Sequence, residues 1–304
     1  MELLYLFEKI RVPVLNEFML LITRFGEETA FLVVALVVFW CIDKYKGYYI
    51  LSVGLVGTVV SQFMKLWYRI PRPWVLDENF TILEQAREAA SGYSFPSGHS
   101  QSSVGTFGCI ATTTKNKCFK AGAIAIMVLV PLSRMYIGVH TPLDVLIGAA
   151  LALVLVFLLK PIVLGNDRKY FFYLLPVMAI LSAGYLCFIE FYSFPADVDA
   201  HNLGSGTENA YTLLGSLLGL VVAYILDEKW LRFSTKAVWW AQIFKVLLGA
   251  GVVLAVKAGL KLPLNLLLDE SAGRLVRYFL TVLVAGAVWP LTFKWFAKLG
   301  TKEQ

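Results

Sequence analysis

Three short, separate segments of the chain contain its candidate catalytic residues. They cover residues 65–73, 95–100 and 133–144, and the candidates in them include three cationic side chains, one carboxylate and two of the chain's three histidines. The second segment also contains a Pro-Ser-Gly turn. The candidate residues are Lys65, Arg72, Ser97, Gly98, His99, Arg134, His140 and Asp144.

This combination of residue types favours chemistry on a phosphate group. Lysine and arginine bind phosphate oxygens, and the planar guanidinium of arginine can do so with two parallel hydrogen bonds. A helix is expected to begin after Ser97, and the free N–H groups at a helix start also bind anions. Gly98 would let the backbone approach such an anion closely.

Two histidines can divide the work of phosphoryl transfer. One of His99 and His140 would act as the nucleophile and the other as the acid that protonates the leaving group, and the residues alone leave open which one attacks. Asp144, one helical turn after His140, could accept a hydrogen bond from its ring and fix its orientation. The sequence has no cluster of carboxylates for magnesium, so cationic side chains must balance the transition-state charge. We therefore predict a metal-independent phosphatase without a cofactor.

Each candidate also has a purely structural explanation. Thr141 and Asp144 could form a capping box around Pro142 at a helix start. Ser97 and His99 could simply begin their own helix. The three cations, Lys65, Arg72 and Arg134, could be ordinary charges at the ends of membrane spans. The phosphatase interpretation depends on all of these residues occurring together.

The three segments resemble the three-part signature of the type 2 phosphatidic acid phosphatase superfamily. That superfamily includes lipid phosphate phosphatases, glucose-6-phosphatase, sphingosine-phosphate phosphatases and vanadium-dependent haloperoxidases. The matching pattern is Lys65-x6-Arg72-Pro73, Pro96-Ser97-Gly98-His99 and Ser133-Arg134-x5-His140-x3-Asp144.

The resemblance covers about residues 26–194 and implies a role for each matching residue. His140 would be the nucleophile and form a phosphohistidine, Asp144 would orient it, and His99 would protonate the leaving oxygen. The remaining residues would bind the phosphoryl group: Lys65, Arg72, Ser97, Gly98 and Arg134.

The composition places these segments in a membrane protein. Hydrophobic residues make up 58% of the chain and charged residues 16%, against about 45–50% and about 25% in soluble domains. This excess argues against a soluble enzyme, a disordered chain or a partner of nucleic acid. Four cysteines without CxxC spacing indicate neither a disulfide framework nor a zinc site.

We predict an all-α, polytopic helical bundle with about nine transmembrane helices, six of them forming the phosphatase core. The predicted spans are residues 26–43, 48–66, 98–114, 121–138, 143–160, 170–193, 209–226, 239–260 and 275–297.

Loop charges predict the orientation of these spans. One set of connections is rich in lysine and arginine, and the other contains most of the acids, so the positive-inside rule places the C-terminus in the cytoplasm and the N-terminus outside. The three catalytic segments then lie at the outer face, and the compact loops favour a bacterial cell membrane. The basic set is Lys44, Lys46, Lys115, Lys117, Lys120, Lys160, Arg168, Lys169, Lys229, Arg232, Lys236, Lys294, Lys298 and Lys302.

The rest of the chain divides around this core. Residues 1–25 are predicted to form an interfacial helix, with a tenth membrane span over residues 3–22 as the alternative. Residues 26–194 are predicted to form the phosphatase core, and residues 195–304 a three-helix extension. Residues 77–91 fit either a short surface helix or a solvated loop, and His201 is expected to be solvated.

A site at the membrane surface suits a lipid phosphate or a polyprenyl pyrophosphate, whose tail can remain among the membrane lipids. The alternatives are a soluble sugar phosphate as substrate, or a phospholipid transporter.

Overall fold

The computed structural model describes residues 1–87, 90 and 92–299, and every regular element in these ranges is helical. The predicted all-α membrane fold is therefore confirmed. Lys302, which was assigned to the cytoplasmic tail, lies outside the described residues. The helices are α1 Glu2–Lys9, α2 Pro13–Thr23, α3 Glu28–Val37, α4 Lys44–Tyr68, α5 Pro73–Leu76, α6 Gly98–Thr113, α7 Lys117–Ile137, α8 Pro142–Leu164, α9 Lys169–Phe191, α10 Ala200–Leu226, α11 Trp239–Gly259, α12 Lys261–Leu267, α13 Glu270–Leu283 and α14 Phe293–Lys298.

Seven helical segments in the described part of the chain are long and apolar enough to cross a membrane, where the sequence predicted nine. The predicted span at 26–43 lies in a bent pair, Pro13–Gly26 and Glu28–Ile42, which meet at 55° and would make an eighth span if they cross together. The predicted span at 98–114 is α6, which has only 16 residues. This is shorter than the roughly 20 residues that cross a bilayer. The seven segments are Lys44–Leu76, Lys117–Ile137, Pro142–Leu164, Lys169–Phe191, Ala200–Leu231, Trp239–Leu267 and Glu270–Lys298.

The chain folds into two compact units that alternate along the sequence. The first contains Met1–Val34, Tyr49–Gly165 and Ser193–Gly206, and the second contains Ala35–Tyr48, Asn166–Tyr192 and Thr207–Gln304. The domain boundaries at residues 25 and 194 remain predictions. All eight candidate catalytic residues belong to the first unit.

Helix α6 lies between α7 and α8 in the first unit, and these pairings are the most extensive in the fold. The helix buries polar side chains, among them Ser100, Gln101 and Ser103, which a lipid-facing helix would expose only at high cost. Its polar character is therefore explained by its position inside the protein.

The N-terminal region forms two helices, α1 and α2, where one interfacial helix was predicted. The break lies just before Pro13, which begins α2. The polar side chains of α1 bind the loop after α5: the Tyr5 hydroxyl donates to Asp77 at 2.8 Å, and Glu8 accepts from the backbone of Thr81 at 3.1 Å.

The loop that follows α5 is packed against the protein. The described residues between 77 and 91 contain a single 3-10 turn, Glu84–Ala86, while Glu88, Ala89 and Ser91 lie outside the described residues. Phe80 and Ile82 are buried in a cluster with Leu4 and Val145. The described residues thus form neither a surface helix nor a fully solvated loop, because Phe80 and Ile82 pack into this cluster.

The second unit has an aromatic core and a buried ion pair. The ring of Phe171 packs edge-on against Tyr224, with centroids 4.8 Å apart, and contacts Tyr48 at 5.5 Å. Lys44 binds the fully buried carboxylate of Asp227 at 2.7 Å. An ion pair of this kind is costly to break from one side, because the remaining charge stays buried.

Candidate active site

His140 and Asp144 lie at the start of α8, and a serine joins them. The Nδ1 atom of His140 is 3.6 Å from Oδ2 of Asp144, too long for a good hydrogen bond. The Oγ atom of Ser94 is 3.4 Å from that Nδ1 and donates to the same Oδ2 at 2.6 Å. The serine hydroxyl therefore bridges the imidazole and the carboxylate. The sequence analysis did not identify Ser94.

The proton position on His140 follows from its other ring nitrogen. The guanidinium of Arg72 lies 2.9 Å from Nε2, and because arginine can only donate hydrogen bonds, this Nε2 must accept. The proton of the neutral ring is then on Nδ1, facing Ser94 and Asp144. The lone pair of the ring is then on Nε2, where it accepts a hydrogen bond from Arg72.

The three cations are buried, and their partners include uncharged oxygens. Lys65 donates to the carbonyl of Tyr93, and Arg72 donates to the carbonyls of Gly92 and Val139, each at 3.0 Å. Three buried positive charges in one site attract an anion more strongly than charges exposed to water would.

Arg134 is held by the N-terminal region. Its NH1 donates to the Thr23 hydroxyl at 2.7 Å, while its buried Nε has no hydrogen-bond partner among the described residues. A buried guanidinium N–H without an acceptor destabilises the folded protein unless a ligand accepts a hydrogen bond from it. The anchoring role of Thr23, the last residue of α2, has no motif in the sequence that could reveal it.

The start of α6 is fixed against two other elements. Ser97 caps the helix, accepting from Ser100 N at 3.4 Å, and its own N–H donates to the Asp144 carbonyl at 2.9 Å. A Cβ on Gly148 would lie 2.5 Å from the Ser97 carbonyl oxygen, and a Cβ on Gly26 would lie 2.9 Å from His99. Glycine at both positions allows this close packing.

Two predicted site residues on α6 are open to a ligand. A Cβ on Gly98 would contact no atom within 4 Å, which fits the predicted close approach of backbone to phosphate. The half-buried ring of His99 makes no hydrogen bond or ion pair with any residue in the described part of the chain. The ring is therefore available to exchange a proton with a ligand.

The structure brings the predicted residues of the three segments into one site. The positive charges of Lys65, Arg72 and Arg134 act electrostatically on both imidazole rings, and the His99 ring also acts on His140. The capping box of Thr141 and Asp144 is present as well, with Thr141 N donating to Oδ2 at 2.7 Å. The capping role of Asp144 is therefore present, and its role in orienting His140 remains a prediction. His201 is exposed near the start of α10, away from these contacts.

No group of three or more His, Cys, Asp and Glu residues that could hold a metal ion occurs in residues 1–87, 90 and 92–299. The donors that converge on the site are cationic or neutral nitrogens. The cationic donors among them suit an anionic ligand.

Two parts of the chain match families of known proteins. Residues 45–168 match the PAP2 superfamily, and residues 211–302 match the transmembrane extension of PAP2 superfamily phosphatases. A helical membrane protein with these matches is an integral-membrane phosphatase. The chain belongs to the PAP2 superfamily, which confirms the resemblance described from the three segments.

Several characterised proteins are similar to this chain. Phosphatidylglycerophosphatase B of Bacillus subtilis (strain 168) is 34% identical over 175 residues, which cover 53% of this chain and 79% of that protein. Undecaprenyl-diphosphatase BcrC of the same strain is 30% identical over 34% of this chain and 51% of its own length. The undecaprenyl-diphosphatase of Sulfolobus acidocaldarius is 29% identical over 48% of this chain and 70% of its own length.

A solved structure is also similar. It is the crystal structure of a transmembrane PAP2-type phosphatidylglycerolphosphate phosphatase from Bacillus subtilis, with 30% identity and a TM-score of 0.47. The match covers 55% of this chain and 85% of that one.

Proposed function

We propose that this membrane phosphatase hydrolyses a lipid phosphate or a polyprenyl pyrophosphate without a metal ion, through a phosphohistidine on His140. The observation that carries the proposal is the environment of the His140 ring. Its Nε2 faces the Arg72 guanidinium at 2.9 Å, and its Nδ1 faces the bridge formed by Ser94 and Asp144.

The first chemical step is attack by the Nε2 lone pair of His140 on phosphorus. The P–N bond forms as the P–O bond to the leaving group breaks, and protonated His99 gives its proton to the departing oxygen. Positive charge that develops on the His140 ring is stabilised by Asp144, partly through Ser94. The cations that now bind carbonyls and a hydroxyl would bind the phosphoryl oxygens and balance their charge.

The second step regenerates the enzyme. Neutral His99 takes a proton from water, the water oxygen bonds to phosphorus, and the P–N bond breaks with its electrons returning to His140 Nε2. Inorganic phosphate leaves, and His99 is again protonated. One histidine thus serves as acid in the first half of the reaction and as base in the second.

The proposed substrate class follows from the relatives and the membrane fold. Two of the similar proteins act on undecaprenyl diphosphate and one on phosphatidylglycerol phosphate, as their names state. Such a substrate could keep its tail in the bilayer while its head group enters the site. The basic loops support a cytoplasmic C-terminus and an active site at the outer face of a bacterial cell membrane.

The test is phosphate release by the detergent-purified chain in the presence of EDTA. The substrates would be phosphatidic acid, phosphatidylglycerol phosphate, undecaprenyl pyrophosphate and glucose 6-phosphate. His140→Ala should abolish release, while His201→Ala, a matched change at an exposed histidine, should leave it unchanged.

The remaining outcomes separate the alternatives. Release from glucose 6-phosphate alone would assign a soluble sugar phosphate as substrate. Binding of lipid phosphates without any release would support a transporter. Undiminished turnover by His140→Ala would exclude His140 as the nucleophile.

A further inference from the structure

A second basic pocket lies within the extension, formed by the end of α11, by α12 and by the start of α13. Its volume is about 480 Å³. All of its lining residues belong to the second compact unit, whereas the candidate catalytic residues belong to the first. The polar lining consists of Lys257, Lys261, Asn265, Glu270, Arg274 and Arg277.

The charge of this pocket is strongly positive. Arg274 is neutralised by two carboxylates, Glu208 at 3.0 Å and Glu270 at 3.4 Å. The other three cations, Lys257, Lys261 and Arg277, have no carboxylate within 4 Å in the described part of the chain. Three uncompensated cations around one pocket make it an anion site.

Arg277 indicates that a ligand of this pocket should carry hydrogen-bond acceptors. Its side chain is 9% exposed, and its buried Nε has no hydrogen-bond partner among residues 1–87, 90 and 92–299. Burying a guanidinium N–H without an acceptor destabilises the fold. A ligand with several acceptor oxygens, such as a phosphate group, would satisfy it.

The pocket lies beside exposed apolar side chains that can contact membrane lipids. Only 11% of the apolar window in the span Trp239–Leu267 is buried inside the protein. Leu262, Leu266 and Leu267, on the short helix next to the pocket, are between 70% and 80% exposed. A cationic pocket at the end of an apolar span, beside exposed leucines, lies at the depth of lipid head groups.

We propose that this pocket binds the phosphate of an anionic phospholipid whose acyl chains lie against the exposed leucines of α12. The binding is separate from catalysis, since it uses no residue of the candidate active site. A free phosphate ion has the same binding chemistry, and the experiment therefore includes it as a separate ligand.

Native mass spectrometry of the full chain in detergent tests the proposal. The two probes are phosphatidylglycerol, which is anionic, and phosphatidylcholine, which is zwitterionic. The double variant Lys257→Gln with Lys261→Gln removes two of the pocket's positive charges. It should weaken phosphatidylglycerol binding by about tenfold or more. The matched control is Lys294→Gln with Lys298→Gln, which makes the same charge change at exposed residues of α14 and should leave binding unchanged.

Three results would overturn the proposal. The first is equal phosphatidylglycerol binding by the pocket and control variants, and the second is phosphatidylcholine binding as tight as phosphatidylglycerol binding. The third is a result in which inorganic phosphate raises the melting temperature of the original chain but not of the pocket variant, while phosphatidylglycerol raises neither. The ligand would then be a soluble anion. Arg277→Gln provides an independent check, since it should remove phosphatidylglycerol-dependent stabilisation while the protein without lipid still unfolds cooperatively.

Discussion

The bridging hydroxyl of Ser94 gives the sharpest test of the active-site geometry. Ser94→Ala removes one oxygen atom from a fully buried position and leaves Asp144 Oδ2 with the Thr141 N–H and a distant imidazole. The ring of His140 loses its nearest partner at Nδ1, at 3.4 Å. We therefore expect the imidazole to rotate more freely while the phosphate-binding cations keep their positions.

The magnitude follows from the length and charge of the lost bond. A hydrogen bond to a charged group contributes about 1.5–3 kcal/mol, and the 2.6 Å distance from Ser94 to Asp144 is that of a strong one. If about 1.4 kcal/mol of this is realised in the transition state, kcat falls about tenfold. KM should change little, because Ser94 acts through His140 and makes no contact with substrate.

The assay is steady-state phosphate release together with ¹⁵N NMR of the histidine rings. The NMR spectrum of Ser94→Ala should show a more mobile His140 ring that keeps its proton on Nδ1, because Arg72 still donates to Nε2. Ser103→Ala is the matched control, since Ser103 is also fully buried but donates only to the Ser100 carbonyl. An unchanged kcat, or a rise in KM with kcat preserved, would refute the positioning role.

Three further perturbations test other parts of the site. Thr23→Val removes the acceptor of Arg134 NH1 and should raise KM about tenfold by releasing a phosphate-binding guanidinium; kinetics that change only in kcat would contradict this. Gly148→Ala places a methyl group 2.5 Å from the Ser97 carbonyl oxygen, so a fall in both the melting temperature and activity is expected. Gly184→Ala, where a Cβ meets nothing within 4 Å, should show neither effect in the same melting and turnover assays. Finally, EDTA should leave turnover unchanged and vanadate should inhibit it, since cations replace a metal in the proposed transition state; loss of activity on chelation would contradict the mechanism.

The sequence predicted the parts of the molecule that depend on residue type and spacing. Long apolar stretches identify most of the spans, because crossing hydrocarbon requires about 20 such residues. Ionisable residues such as Arg134 and His140 are costly near a membrane, so their joint occurrence in three short segments indicates a functional site. The predicted candidates converge in one unit of the fold.

The sequence did not predict features that depend on long-range packing. The predicted span at 98–114 is the short buried helix α6, and a hydropathy pattern does not show whether polar residues face protein or lipid. Ser94 and Thr23 are ordinary hydroxyl residues whose partners lie 50 and 111 positions away in the sequence. Their roles arise only when α2, α7 and α8 pack together.

The capping box at the start of α8 makes protein stability and turnover depend on the same carboxylate. Oδ2 of Asp144 accepts from the Thr141 N–H that begins the helix and from the serine that adjoins His140. Thr141 is the N-cap of α8 and Asp144 is the other member of its capping box, so a substitution at Asp144 should weaken the helix start and, by the proposed mechanism, misalign the imidazole at the same time. A screen for inactive variants would therefore recover Asp144 among poorly expressed proteins, and attempts to make the enzyme more heat-resistant should leave both residues of this box intact.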